Sequence, residues 1–143
     1  SSAKAKKQGK EIRAAFEAAI PGLPQLLADV DRAAKRGYIK AIDGRKIILD
    51  SPHKCLNYLL QSSSCVVAKR WIVINQETIK QTKLNCSQLA FIHDELQFEC
   101  HPEHANDLST SLVYSAKAAG EYYKLRVPID AEAKIGSDWS ATH

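Results

Sequence analysis

Three consecutive ionisable residues, His93, Asp94 and Glu95, interrupt a run from Leu89 to Cys100 that otherwise alternates apolar side chains. Alternation at a period of two marks a half-buried strand. The run is therefore expected to form two strands joined at the ionisable triplet. Leu96, Phe98 and Cys100 then face a core, and Gln97 and Glu99 face the other way. The triplet falls at the tip of a tight hairpin, where a carboxylate is held by two stiff strands and is still open to solvent and metal. Spacing alone favours a plain polar turn, because one Asp-Glu pair is a weak motif.

The chain has 143 residues, one domain's worth and enough for a core of its own. Its composition, 45% hydrophobic and 25% charged, is ordinary for a soluble globular protein. No apolar run approaches the roughly 20 residues that span a membrane, and the Lys- and Ala-rich start carries no apolar stretch of a signal peptide. Cys55, Cys65, Cys86 and Cys100 show no CxxC pairing and read as reduced thiols, buried or half-buried, in a reducing compartment. The net charge of +4 is uneven: Lys4, Lys6, Lys7, Lys10 and Arg13 precede every acid except Glu11, and the bias continues through Lys46, Lys54, Lys69 and Arg70. A basic first half leans towards a polyanionic partner.

Along the chain, Ile12, Ala15, Phe16, Ala19 and Ile20 share one helical face before Pro21-Gly22 breaks the helix. Pro24 opens a second helix with Leu26, Leu27, Val30 and Ala34 inward, capped at Gly37. Tyr38–Ile42 and Lys46–Leu49 are strand-like around Asp43-Gly44, a strong hairpin signal. Ser51-Pro52 starts a long helix, Ser at the N-cap and Pro at the first position, running to about Lys80. Leu56, Leu59, Leu60, Val66, Val67 and Ile74 give its buried stripe. His53, Asn57 and Gln61 recur every four residues on a polar face able to read the edges or sugars of a nucleic acid, or simply solvated. Beyond the central hairpin, Pro102 starts a helix ending at Gly120, and Leu125, Val127, Ile129, Ala131 and Ala133 alternate as a further strand before a tail anchored by Trp139. The sum is an α+β fold, a small antiparallel sheet packed against several helices.

These parts, in this order, resemble the C-terminal portion of a family A DNA polymerase, the group of bacterial DNA polymerase I and its phage relatives. Phe91-Ile92-His93-Asp94-Glu95-Leu96 matches the family's motif C hairpin. Gly37-Tyr38 with Asp43-Gly44-Arg45 matches the hairpin before the family's long helix, and Asn57 and Gln61 match its Asn-x-x-x-Gln pair. Asp138-Trp139 and the terminal His143 match its Trp-containing tail. Bacterial members usually carry arginine one turn before the Asn, where this chain has His53; Ser51-Pro52-His53 resembles the phage branch.

The resemblance implies residues 1–36 as a helical lead-in from the fingers and residues 37–143 as the C-terminal palm, forming one compact unit. It implies template-directed nucleotidyl transfer in DNA replication with two Mg²⁺ ions. Asp94 would bridge the metals, Glu95 would be an outer or transient ligand, and His93 would steady the primer terminus. His53, Asn57, Gln61 and Arg45 would touch the template-primer, largely in the minor groove, whose acceptor pattern is nearly independent of sequence. The implied partners are template-primer DNA, deoxynucleoside triphosphates and the upstream polymerase portion, in the cytoplasm of a bacterial or phage-infected cell.

No stretch matches the family's motif A aspartate or the nucleotide-binding fingers helix, so only half of the metal site is expected here, and the chain alone is expected not to polymerise. The palm normally packs against parts with no counterpart in this sequence, so an exposed apolar face and homo-oligomerisation are expected. Two rivals stand beside this reading. One is a natural small subunit of a split polymerase. The other is a stand-alone metal-dependent hydrolase using His93, Asp94 and Glu95, which needs further ligands; the only candidates, His101-x-x-His104, would lie roughly 17 Å from Asp94 along the strand.

Overall fold

The computed structural model of the chain describes residues 2–142. It is an α+β structure with two separate two-stranded antiparallel sheets. Contacts divide the chain into two compact units, Ser1–Ser62 and Ser63–His143, with the boundary inside the longest helix.

In the first unit, α1 (Ser2–Ala19) is built from strong helix formers, Ala, Lys, Glu and Arg. Pro21 and Gly22 end it, and Gly22, at φ +85°, caps α2 (Leu23–Ala34). Ile12, Phe16 and Ile20, the apolar face expected on α1, are 63%, 60% and 40% exposed, so this face is not part of the core. Core packing begins at α2. Val30 and Ala34 pack with Ile39 and Cys55, and Ala33, Ile47, Leu49, Leu56, Tyr58 and Leu59 close around them. The Cys55 side chain has no solvent exposure and its thiol donates to the Val30 carbonyl at 3.6 Å. Burial pushes that thiol's pKa up.

Helix α2 stops at Ala34, three residues before the expected cap. Gly37 instead makes the reversal into the hairpin, at φ +75° with its N–H on the Ala34 carbonyl. Strands β1 (Tyr38–Lys40) and β2 (Lys46–Ile48) pair Ile39 with Ile47. They are shorter than expected because Ala41 and Gly44 already belong to the turn: the Gly44 N–H bonds the Ala41 carbonyl. Ser51 is extended at the N-cap and Pro52 sits in the first turn, but that turn is a 3₁₀ helix, Pro52–Lys54, leading into α3 (Cys55–Thr82). Leu60 is 57% exposed, not buried. Leu56 and Leu59 already occupy the inward positions, and Leu60 follows about 100° further around the helix.

In the second unit, Val66, Asn75 and Ile79 of α3 are buried. Strands β3 (Cys86–Ile92) and β4 (Glu95–Cys100) form a hairpin with a bulge between Gln88 and Ala90. A 3₁₀ turn, Pro102–His104, leads into α4 (Ala105–Tyr122), which buries Leu108, Ser111, Ser115, Ala116, Ala119 and Gly120. Ser111 donates to Asn75 Oδ1 at 2.8 Å, and the Trp71 indole N–H to the Leu112 carbonyl at 2.9 Å. The guanidinium of Arg70 stacks 3.9 Å from the Tyr122 ring centroid.

The strand expected over Leu125–Ala133 does not form. Leu125, Ile129, Ala131 and Ala133 are half-buried and alternate with exposed neighbours, but no strand pairs with them. Alternation reports which side chains are covered, whereas a strand also needs a backbone partner. The segment is held by packing instead. A Cβ at Gly120 would lie 2.8 Å from Ile129 Cγ1, so only glycine admits this approach.

Candidate functional site

The β3–β4 hairpin turns in two residues, His93 and Asp94, between the paired Ile92 and Glu95. A two-residue hairpin loop takes positive φ at its first position to match strand twist. His93 adopts it, at φ +55°, a conformation costly for a residue with a Cβ. The triplet is thereby separated. His93 and Asp94 form the exposed turn, and Glu95 opens β4, also exposed. Gln97, two residues on and on the same side of the strand, donates to Glu95 Oε1. Asp94 makes no hydrogen bond or ion pair among the described residues. The tip thus presents a carboxylate on a rigid ribbon, with a second carboxylate next to it whose orientation is fixed by an amide.

Among the described residues no group of three His, Cys, Asp or Glu side chains is placed to hold a metal ion. Two adjacent hard-oxygen carboxylates, both exposed, fit part of a Mg²⁺ site, since Mg²⁺ keeps several waters and takes one or two protein carboxylates. The rival pair falls short of a site. His101 and His104 have ring centroids 6.2 Å apart, and His104 Nδ1 is already occupied by the Asn85 N–H at 2.7 Å.

In the first unit, Asn57 and Gln61 lie one turn apart on α3 and are exposed. His53, expected to share their four-residue repeat, lies in the 3₁₀ turn before α3, where three residues make a turn. It is exposed as well. Arg45 is tethered in the β1–β2 turn, its Nε 2.7 Å from Asp43 Oδ2 while its own N–H bonds Asp43 Oδ1 at 3.3 Å. His143 lies outside the described residues.

One polar cluster went unread in the sequence. Asp50 accepts from Lys54 Nζ at 2.8 Å and from the Tyr58 hydroxyl at 2.9 Å, bracing the turn that carries His53. Those two hydrogen bonds hold the Asp50 carboxyl below its ordinary range, while the bond to Asp50 raises the Lys54 and Tyr58 pKa values. The four-residue steps from 50 to 54 to 58 were the available signal, hidden because they cross from an extended segment into a helix.

A family profile described as DNA polymerase family A matches residues 3–141. The chain belongs to DNA polymerase family A. It is 29% identical to the DNA-directed DNA polymerase of Enterobacteria phage T3, and the match covers 96% of this chain and 23% of the relative. The DNA-directed DNA polymerase of Escherichia phage Phieco32 is 32% identical, over 95% of this chain and 23% of the relative. Among solved structures, the POL domain of Pol1 from M. smegmatis, in complex with DNA primer-template and dNTP, superposes with a TM-score of 0.82 at 27% identity, covering 99% of this chain and 26% of that one. The chain therefore spans about a quarter of the length of these polymerases. No helix among the described residues is long and apolar enough to cross a membrane.

Proposed function

We propose that this chain supplies the C-terminal palm portion of a DNA-directed DNA polymerase, with residues 1–36 as its helical lead-in and residues 37–143 as the palm portion. The observation that carries the reading is the β3–β4 tip, where Asp94 and Glu95 stand exposed beside a strained His93, within a chain whose residues 3–141 match the family. Asp94 and Glu95 would hold Mg²⁺, which when bound neutralises charge developing on a transferring phosphoryl group. The rigid ribbon fixes where those carboxylates stand, and the Gln97 amide donates to Glu95 Oε1. His93, fixed by the turn, steadies the primer terminus. Asn57, Gln61 and His53 offer uncharged or weakly basic donors to minor-groove acceptors that every base pair presents. Arg45 contacts phosphate, which positions without specifying. A partner carrying the family's second aspartate completes the metal site, whether as the rest of one polypeptide or as a separate subunit.

Binding of the chain to a primer-template duplex tests the reading. The chain alone binds weakly, does not extend the primer, and loses affinity steeply between low and moderate salt. Arg45→Ala lowers the salt slope by about one, whereas Asn57→Ala and Gln61→Ala weaken binding without changing the slope. Salt-independent binding, or extension by the purified chain alone, would overturn it.

A further inference from the structure

Two of the four cysteines face each other across the base of the hairpin: Cys86 opens β3 and its register partner is Cys100, the last residue of β4. The bulge makes this so. From the turn outward Ile92 pairs with Glu95 and Ala90 with Gln97; Leu89 then drops out of register, and Gln88 pairs with Phe98. Without that extra residue Cys100 would face Ser87. The hydrogen bonds identify the kind of pair. The His101 N–H bonds the Asn85 carbonyl at 2.9 Å, one step outside the cysteines, and the Cys86 N–H bonds the Leu84 carbonyl at 3.1 Å, not Cys100. Cys86 and Cys100 are therefore a non-hydrogen-bonded antiparallel pair, with Cα atoms about 4.5 Å apart and side chains close on one face. That separation lies within the range that disulfides span.

We propose that Cys86 and Cys100 are a reversible dithiol–disulfide pair, an oxidative modification site that staples the base of the hairpin carrying Asp94. Both side chains are half-buried and line a shallow groove open to solvent with Asn85, Ser87, Glu99 and His101, which admits a small reagent. Burial, with Cys100 beside it, raises the Cys86 thiol pKa, which lowers its thiolate fraction, so attack is slow near neutral pH and quickens as pH rises. The co-reactant is a low-molecular-weight disulfide of the glutathione type. One cysteine thiolate attacks a sulfur of that disulfide, forming a mixed disulfide and releasing one small thiolate. The second cysteine thiolate then attacks the protein-side sulfur and releases the other. Two electrons pass from the cysteines to the small disulfide, and the two thiol protons end on the two released thiols. The closed bond fixes the bulged register, which a shift of one residue would otherwise flip. The inference does not depend on the polymerase reading, because it concerns thiol chemistry alone.

The test equilibrates the whole chain with mixtures of oxidised and reduced glutathione, blocks the remaining thiols with an alkylating agent, and maps the linkage by peptide mass spectrometry. The expected result is loss of the mass of two hydrogens, a Cys86–Cys100 cross-linked peptide, and a rise in melting temperature that a dithiol reverses. Cys86→Ser should convert the product into a stable glutathione adduct at Cys100. Four alkylatable thiols at every mixture, or an oxidised product mapping to Cys65, would overturn it. The linkage map needs only the unsubstituted chain, so a variant that fails to fold leaves the test intact.

Discussion

Replacing His93 by glycine and, separately, by alanine isolates the backbone energy stored at the tip of the β3–β4 hairpin. His93 sits at φ +55°. Left-handed backbone costs a residue with a Cβ about 1–2 kcal/mol, towards the lower end for histidine, which tolerates it better than most. Glycine takes that conformation without the clash but loses more freedom on folding, which offsets roughly 0.5–1 kcal/mol. The Gly variant is therefore equal to the natural chain or about 0.5 kcal/mol more stable. The Ala variant keeps the clash and has no imidazole, so it falls below the Gly variant by about 1 kcal/mol. Both variants lose the side chain proposed to steady the primer terminus, so a difference between them comes from the backbone. Urea midpoints compare them globally, and amide exchange at Ile92, Asp94 and Glu95 reads the hairpin itself, where about 1 kcal/mol is roughly a fivefold change in opening. An Ala variant as stable as the Gly variant would show that His93 is unstrained and would remove the tip's claim to be held in a conformation selected for its role.

Gly120→Ala should destabilise, against the usual helix preference. A new methyl group 2.8 Å from Ile129 Cγ1 costs about 1–3 kcal/mol of overpacking and recovers less than about 1 kcal/mol of helix propensity. Adding Ile129→Ala to that variant should restore part of the loss, as thermal unfolding of the pair would show. The Asp50 carboxyl should titrate below its ordinary range, and Tyr58→Phe or Lys54→Gln should each move it back up, followed by carboxyl NMR. Because its folded pKa is depressed, the stability this group contributes is present above its unfolded pKa, near 3.8, and is lost as pH falls through the lower folded value. Lys54 has the opposite sign: its contribution is present below about 10.5 and is lost as pH rises beyond the raised folded value.

Local signals that act through one or two residues were legible in the sequence. Pro52 after Ser51 starts the long helix because proline fixes φ and lacks the N–H that a first turn leaves unbonded. Asp43-Gly44 turns the first hairpin because Gly44 supplies the positive φ, at +86°. The central hairpin was visible from the apolar run Leu89–Ile92 before three ionisable residues and the alternation Leu96–Cys100 after them. What stayed hidden depends on partners distant in the chain. Leu125–Ala133 shows the alternation of a strand yet has no neighbour to bond. The facing of Cys86 and Cys100 depends on the bulge at Leu89, which no local pattern marks. The exposed face of α1 was legible as an apolar stripe, but a stripe does not say whether anything within the same chain covers it.

Asp94 is proposed as one half of a nucleotidyl-transfer metal site. Primer extension by this chain combined with a polypeptide carrying the upstream portion of a family A polymerase, in Mg²⁺, compares Asp94 with Asp94→Asn most directly. Template-directed extension that neither part shows alone is expected, lowered by at least about 10³-fold in Asp94→Asn while duplex affinity is unchanged. Extension that survives Asp94→Asn within a few fold would contradict it.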